Sequence, residues 1–157
     1  MPTKSILLID DNPDDRELMK LAFAQGEVTH NLIVVSDGIE ALDYLKRQAC
    51  HNKTETSADV SLARMPSLIM LDLNLPKING IEVLRRIRAS PRTRLLPVVI
   101  ISSSNEPKDL IDSYINGCNS YIRKPIHFKQ LQIIVKEIST YWLTVNQLPP
   151  VFGVLNE

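Results

Sequence analysis

Cysteine, glycine and histidine are scarce in this chain of 157 residues, and no apolar run in it is long. The two cysteines, Cys50 and Cys118, lie far apart without C-x-x-C spacing, so nothing signals a disulfide scaffold or a thiolate zinc site. His30, His51 and His127 lack the spacing of a metal pair and read as surface residues. The longest strongly apolar stretch, Leu95 to Ile101, is broken by Pro97 and falls well short of the roughly 18 residues of a membrane span. The N-terminus passes from four apolar residues straight to acids, unlike a signal peptide. An excess of one charge is also missing: 18 Lys and Arg face 18 Asp and Glu. A dedicated nucleic-acid binder would be basic. The expectation is a reduced, cytoplasmic domain with neither a nucleic-acid nor a membrane partner, and the sequon Asn52-Lys53-Thr54 carries no weight.

What is present is a regular alternation. Five short runs rich in Ile, Val and Leu occur at Ser5–Ile9, Asn31–Val35, Ser67–Leu71, Pro97–Ile101 and Ser120–Ile122. They do not alternate with polar residues, which suits strands of a parallel sheet buried on both faces. Segments of helical spacing separate them. Asn12 caps the first, with Pro13 leading and Asp14 and Asp15 in its first turn, and Gly26 closes it. Ile39, Leu42 and Leu45 mark the second; Ile81, Leu84 and Ile87 the third. Ser104 is the expected cap of a fourth that ends at Gly117. Phe128, Leu131, Val135, Ile138 and Trp142 mark a long fifth, about 28 Å from Phe128 to Asn146 at ~1.5 Å per residue. The fold class is α/β, an open sheet with helices on both faces. Gln48–Met65 reads as a polar insertion. The domain is expected over 1–147, with 148–157 as a tail.

The residue after each run matters most. Asp10 and Asp11 follow the first, Asp72 the third, Ser102 and Ser103 the fourth and Lys124 the fifth. In a parallel sheet these strand ends share one edge, where ligands bind. Three carboxylates there are tolerable if a divalent cation neutralises them, and oxygen-only donors suit Mg²⁺. An ammonium and a hydroxyl opposite would complete a cradle for a phosphoryl group. An aspartate can itself be the nucleophile. Read alone, Asp10 and Asp11 suit the positive end of a helix dipole, and Lys124 reads as a solvated loop lysine; together at strand ends they favour the metal site. The basic cluster Arg85, Arg86, Arg88, Arg92 and Arg94 reads as a solvated face.

These residues carry a family resemblance. ILLIDDNPDD at 6–15, LIMLDLNLPKINGIEVL at 68–84, PVVIISSS at 97–104 and GCNSYIRKP at 117–125 resemble a CheY-like receiver domain of two-component signalling, in order and spacing, over residues 4–146. The resemblance implies a flavodoxin-like (βα)5 doubly wound sheet with strand order 2-1-3-4-5. It implies that Asp72 is the phosphoacceptor and that Asp10, Asp11, Asp72 and the main-chain carbonyl of Asn74 organise Mg²⁺. It further implies that Lys124 pairs with a phosphoryl oxygen, that Lys124-Pro125 is a cis peptide, and that Ser102 and Tyr121 form the switch pair. The insertion at 48–65, the stretch SSSNEPKDLIDSYINGCNSYIRKP and the ending YWLTVNQLPP resemble the single-domain response regulators that serve phytochrome-type histidine kinases. That subfamily implies self-association through the fourth and fifth helices and the C-terminal end. Phe128, Leu131, Val135, Ile138 and Trp142 repeat at spacings of three and four, a seam-like pattern. With Ile133, Ile134 and Tyr141 the helix is apolar over more than one stripe, so one face is expected to cover the sheet and the remainder to form a homodimer.

Two other readings fail on single residues. A Mg²⁺-dependent phosphohydrolase of the haloacid-dehalogenase type needs a carboxylate two residues after the nucleophile, where this chain has Asn74. A flavodoxin-like flavin binder needs a Ser/Thr/Gly-rich loop after the first strand, where two aspartates stand. The expected protein is therefore not an enzyme in the ordinary sense but a phosphoacceptor module, catalysing only its own phosphorylation and dephosphorylation.

Overall fold

The apolar runs pair into one parallel sheet. The computed structural model describes residues 4–26, 30–50, 65–124 and 126–149. Strands β1 (Ser5–Ile9), β2 (Asn31–Val35), β3 (Leu68–Leu71), β4 (Val98–Ser102) and β5 (Ser120–Arg123) lie in the order β2-β1-β3-β4-β5 with every pair parallel. Between and after them run α1 (Pro13–Ala24), α2 (Gly38–Cys50), α3 (Gly80–Ala89), α4 (Pro107–Ile115) and α5 (Phe128–Thr140). β1, β3 and β4 are buried at every position, as non-alternating apolar runs require. The expectation of burial on both faces fails for β2 and β5, which are largely half-exposed. They are the edge strands, with a neighbour on one side only.

Alternate strand residues feed opposite layers. Leu7, Ile9, Ile69, Leu71, Val98 and Ile100 pack with Ala41 and Leu45 of α2 and Val83, Leu84 and Ile87 of α3. Ile6, Leu8, Leu68, Met70, Val99 and Ile101 pack with Met19, Ala22 and Phe23 of α1 and Leu131, Val135 and Ile138 of α5. Each fully buried Leu or Ile contributes roughly 1.5–3 kcal/mol, so both layers are strongly held to the sheet.

Local chemistry sets the helix starts. The Asn12 side chain accepts from the Asp14 and Asp15 amides at 2.9 and 3.2 Å, as expected of a cap. Asn79 does the same for α3, accepting from the Glu82 amide at 2.9 Å. The expected cap Ser104 is not the cap of α4. That helix begins at Pro107 with Glu106 in the cap position, because the fixed φ of proline suits the first helical residue. Ser104 Oγ instead accepts from the Glu106 amide at 3.2 Å and donates to the Asp109 carboxylate. Gly80 has a steric reason: a Cβ there would overlap the Asp72 carbonyl oxygen and lie 2.6 Å from the Leu73 Cα. Gly117 closes α4 in the left-handed region at φ +97.

The C-terminal helix divides its apolar residues between the sheet and the surface. α5 ends at Thr140 and continues as a wider π-helical turn over Tyr141–Val145, closed by the Asn146 amide donating to the Tyr141 carbonyl at 2.6 Å. Leu131, Val135 and Ile138 are core residues, and Phe128 and Trp142 pack partly buried against them. The Phe128 to Trp142 stripe is therefore the face that covers the sheet. Ile133, Tyr141 and Val145 are the apolar residues that remain exposed here. Several expectations fall outside the described residues: the Lys124-Pro125 cis peptide, most of the 48–65 insertion, the sequon and the tail beyond Pro149.

At the opposite edge of the sheet from the strand C-termini, Arg88 of α3 acts as a clasp. Its Nε donates to the Gly117 carbonyl at 2.9 Å, its Nη1 to the Arg94 and Leu96 carbonyls at 2.9 and 2.7 Å, and its Nη2 to Asn119 Oδ1 at 3.1 Å. Removing the guanidinium leaves several acceptors unpaired, at about 1–3 kcal/mol for each buried one. Arg88→Met is expected to lower the unfolding free energy in urea by about 2–4 kcal/mol. Arg85→Met, which breaks only a solvated pair with Glu82, is expected to change it by less than about 1 kcal/mol.

Candidate functional site

Parallel register carries four distant residues to one edge. Ile9 stands beside Leu71, so Asp10 and Asp72 emerge next to each other; the Asp72 amide donates to the Ile9 carbonyl at 3.0 Å. Ser102 ends β4 beside Arg123, and the Lys124 amide donates to the Ser102 carbonyl at 2.8 Å. Above this edge lies a cleft of about 480 Å³ whose lining includes Asp11, Asp15, Asp72, Asn74, Ser103 and Lys124.

Charge is concentrated and balanced there. Lys124 Nζ donates to Asp10 Oδ2 at 3.1 Å, Asp15 Oδ2 at 2.9 Å and Asp72 Oδ2 at 3.1 Å. Asp10 and Asp72 are buried, while Asp11 faces solvent. Asp10 Oδ1 accepts from the Asn12 amide at 2.9 Å and Asp72 Oδ1 from the Asn74 amide at 3.1 Å. Burial pushes the Asp72 carboxyl above the ordinary aspartate range. The Lys124 ammonium and the Asn74 amide pull it back, and the Asp10 charge adds to the rise. Burial alone would lower the Lys124 ammonium. The Asp15, Asp72 and Asp10 carboxylates outweigh it and hold the group above the usual lysine value.

Carboxylate oxygens of Asp10, Asp11 and Asp72 all lie within 4.8 Å of one another. The donors are hard oxygens, two of them buried against a cleft and one open to water, and this set fits a divalent cation. Asp15 was read only as a helix-dipole residue, yet it reaches Lys124. Its place in the first turn of α1, directly after the strand end that carries Asp10, brings it to the same edge.

The hydroxyls around this edge differ in burial. Ser102 is completely buried, and its Oγ accepts from the Ser104 amide at 3.1 Å. Ser103 lines the cleft and lies 3.5 Å from Asn74 Nδ2. Tyr121 is half-buried against the α2/α3 layer, and its hydroxyl donates to the Ser104 carbonyl at 3.2 Å. Ser104 thus joins the two residues read as a switch pair.

Several known proteins are similar to this chain. Residues 6–136 match the family model of the response regulator receiver domain. The chain is 34% identical to Response regulator Rcp1 of Synechocystis sp. (strain ATCC 27184 / PCC 6803 / Kazusa), over 94% of this chain and 95% of that one. It is 38% identical to a probable methanogenesis regulatory protein, FilR2, of Methanothrix harundinacea (strain 6Ac), over 92% and 86%. Among solved structures, the phosphorylated cyanobacterial phytochrome response regulator RcpA superposes with a TM-score of 0.79 at 38% identity, covering 94% of this chain and 99% of that one. The Mn²⁺-bound form of Rcp1 gives 0.76 at 34%, covering 93% and 99%.

The electrostatics of the carboxylates and Lys124 give a sign that can be checked. A carboxyl whose folded pKa is raised binds its proton more tightly when folded, so ionised Asp72 opposes folding at neutral pH. That cost fades as pH falls and is gone below the ordinary aspartate value of 3.8, where the carboxyl is protonated in both states. In EDTA at pH 7, Asp72→Asn is expected to melt a few degrees above wild type, on the scale of ~2–4 °C per kcal/mol. The gap should narrow as pH is lowered toward 4. A lower melting temperature at pH 7 would contradict the reading.

Proposed function

Since the chain belongs to the response regulator receiver family of phosphorelay signalling, we propose that Asp72 is its phosphoacceptor and that Mg²⁺ is the cation held by Asp10, Asp11, Asp72 and the Asn74 main-chain carbonyl. The observation that carries this is the convergence of three carboxylates within 4.8 Å with a lysine 3.1 Å from Asp72. The receiver unit is taken as 1–147, with 148–157 a tail, and the location as cytoplasmic. Among the described residues no helix is long and apolar enough to cross a membrane.

In this reading an ionised Asp72 oxygen attacks phosphorus and forms the new O–P bond. The bond from phosphorus to the donor nitrogen of a kinase histidine breaks, and the electron pair leaves with that nitrogen. Lys124 has two roles: it helps to keep Asp72 ionised beforehand, and it pairs with a phosphoryl oxygen afterwards. Mg²⁺, when bound, supplies positive charge to phosphoryl oxygens that Lys124 alone does not neutralise. Asn74 puts an amide rather than a carboxylate two residues after Asp72, which removes the acid/base group that position would supply and favours a stored phosphoryl group over turnover. Ser102 answers the phosphoryl group by turning its hydroxyl from the Ser104 amide toward it. That change passes to Tyr121, whose hydroxyl rests on the Ser104 carbonyl. Likeness to Rcp1 and RcpA supports a phytochrome-type histidine kinase as donor.

Self-association belongs to the same reading. With the Phe128 to Trp142 stripe committed to the core, the surface for a homodimer passes to the outer sides of α4 and the C-terminal turn. There Ile111, Tyr114, Ile115, Tyr141 and Val145 are at least half exposed. Such apolar exposure marks an interface, and a symmetric pair is the commonest solution.

Incubation with acetyl phosphate and Mg²⁺ should add one phosphoryl group by intact-mass measurement, and none to Asp72→Asn. Asp11→Ala should weaken Mg²⁺ binding by about tenfold or more in titration calorimetry. Labelling of Asp72→Asn, or unchanged Mg²⁺ affinity in Asp11→Ala, would refute the corresponding assignment. Sedimentation equilibrium should give twice the monomer mass at micromolar concentration, shifting toward monomer in Ile115→Glu/Val145→Glu. A wild type that stays monomeric, phosphorylated or not, would refute the dimer.

A further inference from the structure

The chain is neutral as a whole but polarised in space. In a strand–helix–strand unit the helix runs back against the strands, so the C-terminal ends of α2 and α3 lie at the edge away from Asp72. Around that edge Lys46, Arg47, Arg85, Arg86, Arg92 and Arg94 outnumber the carboxylates of α2 and α3, which are Glu40, Asp43 and Glu82. Glu82 is taken by Arg85 and Arg86. Lys46, Arg47 and Arg94 form no ion pair among the described residues. Cations at helix C-termini complement the dipole, which accounts for Lys46 and Arg47. It does not account for Arg92 and Arg94, which follow α3 in the turn before β4.

Between these cations runs a groove of about 420 Å³ with an apolar floor. Leu42, Leu45 and Ala49 of α2 form one wall and floor; Lys46, Arg86 and Arg92 form the rim. The groove is built as well as charged: Arg92 Nη1 donates to the Ala49 carbonyl at 2.6 Å, and Thr93 Oγ1 to the Ile87 carbonyl at 2.7 Å. None of these lining residues belongs to the cleft over Asp72.

We propose that this groove between α2 and the turn after α3 docks an acidic, leucine-bearing helix of a partner protein. A helix laid in a groove inserts apolar residues at spacings of three and four and presents its flanking charges to the rim. Leucines meet Leu42 and Leu45, and glutamates or aspartates meet Lys46, Arg86 and Arg92, so charge sets orientation and rate while the floor sets affinity. A nucleic acid would answer the cations but not the floor, since phosphates gain nothing from three aliphatic side chains. The site is independent of Asp72 chemistry, which lies at the other edge of the sheet, and so offers contact with a partner in either phosphorylation state.

The probe is a fluorescein-labelled helical peptide of Glu, Ala and Leu with leucines at spacings of three and four. It is titrated into the full chain at low salt by anisotropy and by amide NMR shifts. The expected result is saturable binding, with shifts centred on residues 42–49 and 86–93. Lys46→Glu/Arg86→Glu should weaken it at least about tenfold, and the milder Lys46→Ala/Arg86→Ala in the same direction. Acetyl phosphate labelling should stay at the wild-type level in both variants, reporting an intact fold. The proposal is overturned if the peptide does not bind or if both variants bind it as wild type does. Equal binding of a leucine-free Glu/Ala peptide or of a DNA duplex also overturns it, since that is surface charge alone.

Discussion

Asp10 and Asp72 are buried side by side at the edge of the sheet, and the Lys124 ammonium reaches both at 3.1 Å. Two like charges a few ångströms apart repel by about 4 kcal/mol at an effective dielectric near 20. A single cation between them turns that repulsion into a net attraction, and the other features of the site follow from where it must stand. β5 has to end one residue before Lys124, in register with β4, and Lys124 has to reach over to β1 and β3. Asp15, on the first turn of α1, completes its coordination at 2.9 Å. The ammonium stands where a phosphoryl oxygen would be drawn, so the device that stabilises the resting edge also prepares it for an anion.

The remaining structure supports that edge from two sides. Leu7, Ile9, Ile69 and Leu71 anchor β1 and β3 to the α2/α3 layer, and Ile6, Leu8, Leu68 and Met70 anchor them to the α1/α5 layer. Gly80 lets α3 begin against the carbonyl of Asp72, and Asn74 holds one oxygen of the same carboxylate with its amide. Far from the site, Arg88 ties α3 to the turns that lead into β4 and β5. The contacts around Ser104 are fewer and closer to solvent. One residue links Ser102, Tyr121 and α4, and this is the part of the site suited to move.

Charge separation gives the molecule two poles. The acidic pole lies at the strand C-termini, and the basic pole, at the ends of α2 and α3, borders an apolar groove. Parallel topology makes this possible, because every strand points its carboxyl end one way and each helix returns the other. A chain with zero net charge can then present two surfaces of opposite sign to two different kinds of partner.

Much of this was already legible in the residues. Unbroken Ile, Val and Leu runs determined buried parallel strands, Asn12 with Pro13 determined the start of α1, and the acids and lysine directly after the runs determined which edge carries the chemistry. Those signals are local: burial pattern, cap and strand end are each written within a few neighbouring positions. Tertiary structure decided what depends on distant surfaces. It put the Phe128 to Trp142 stripe on the sheet rather than at a subunit seam, because a helical periodicity says that one face is apolar but not what covers it. It gave Asp15 to Lys124, 109 residues away. It buried the Ser102 hydroxyl under the Ser104 amide and left Ser103 in the cleft, because which of two adjacent serines faces outward depends on how the loop after β4 folds over the sheet.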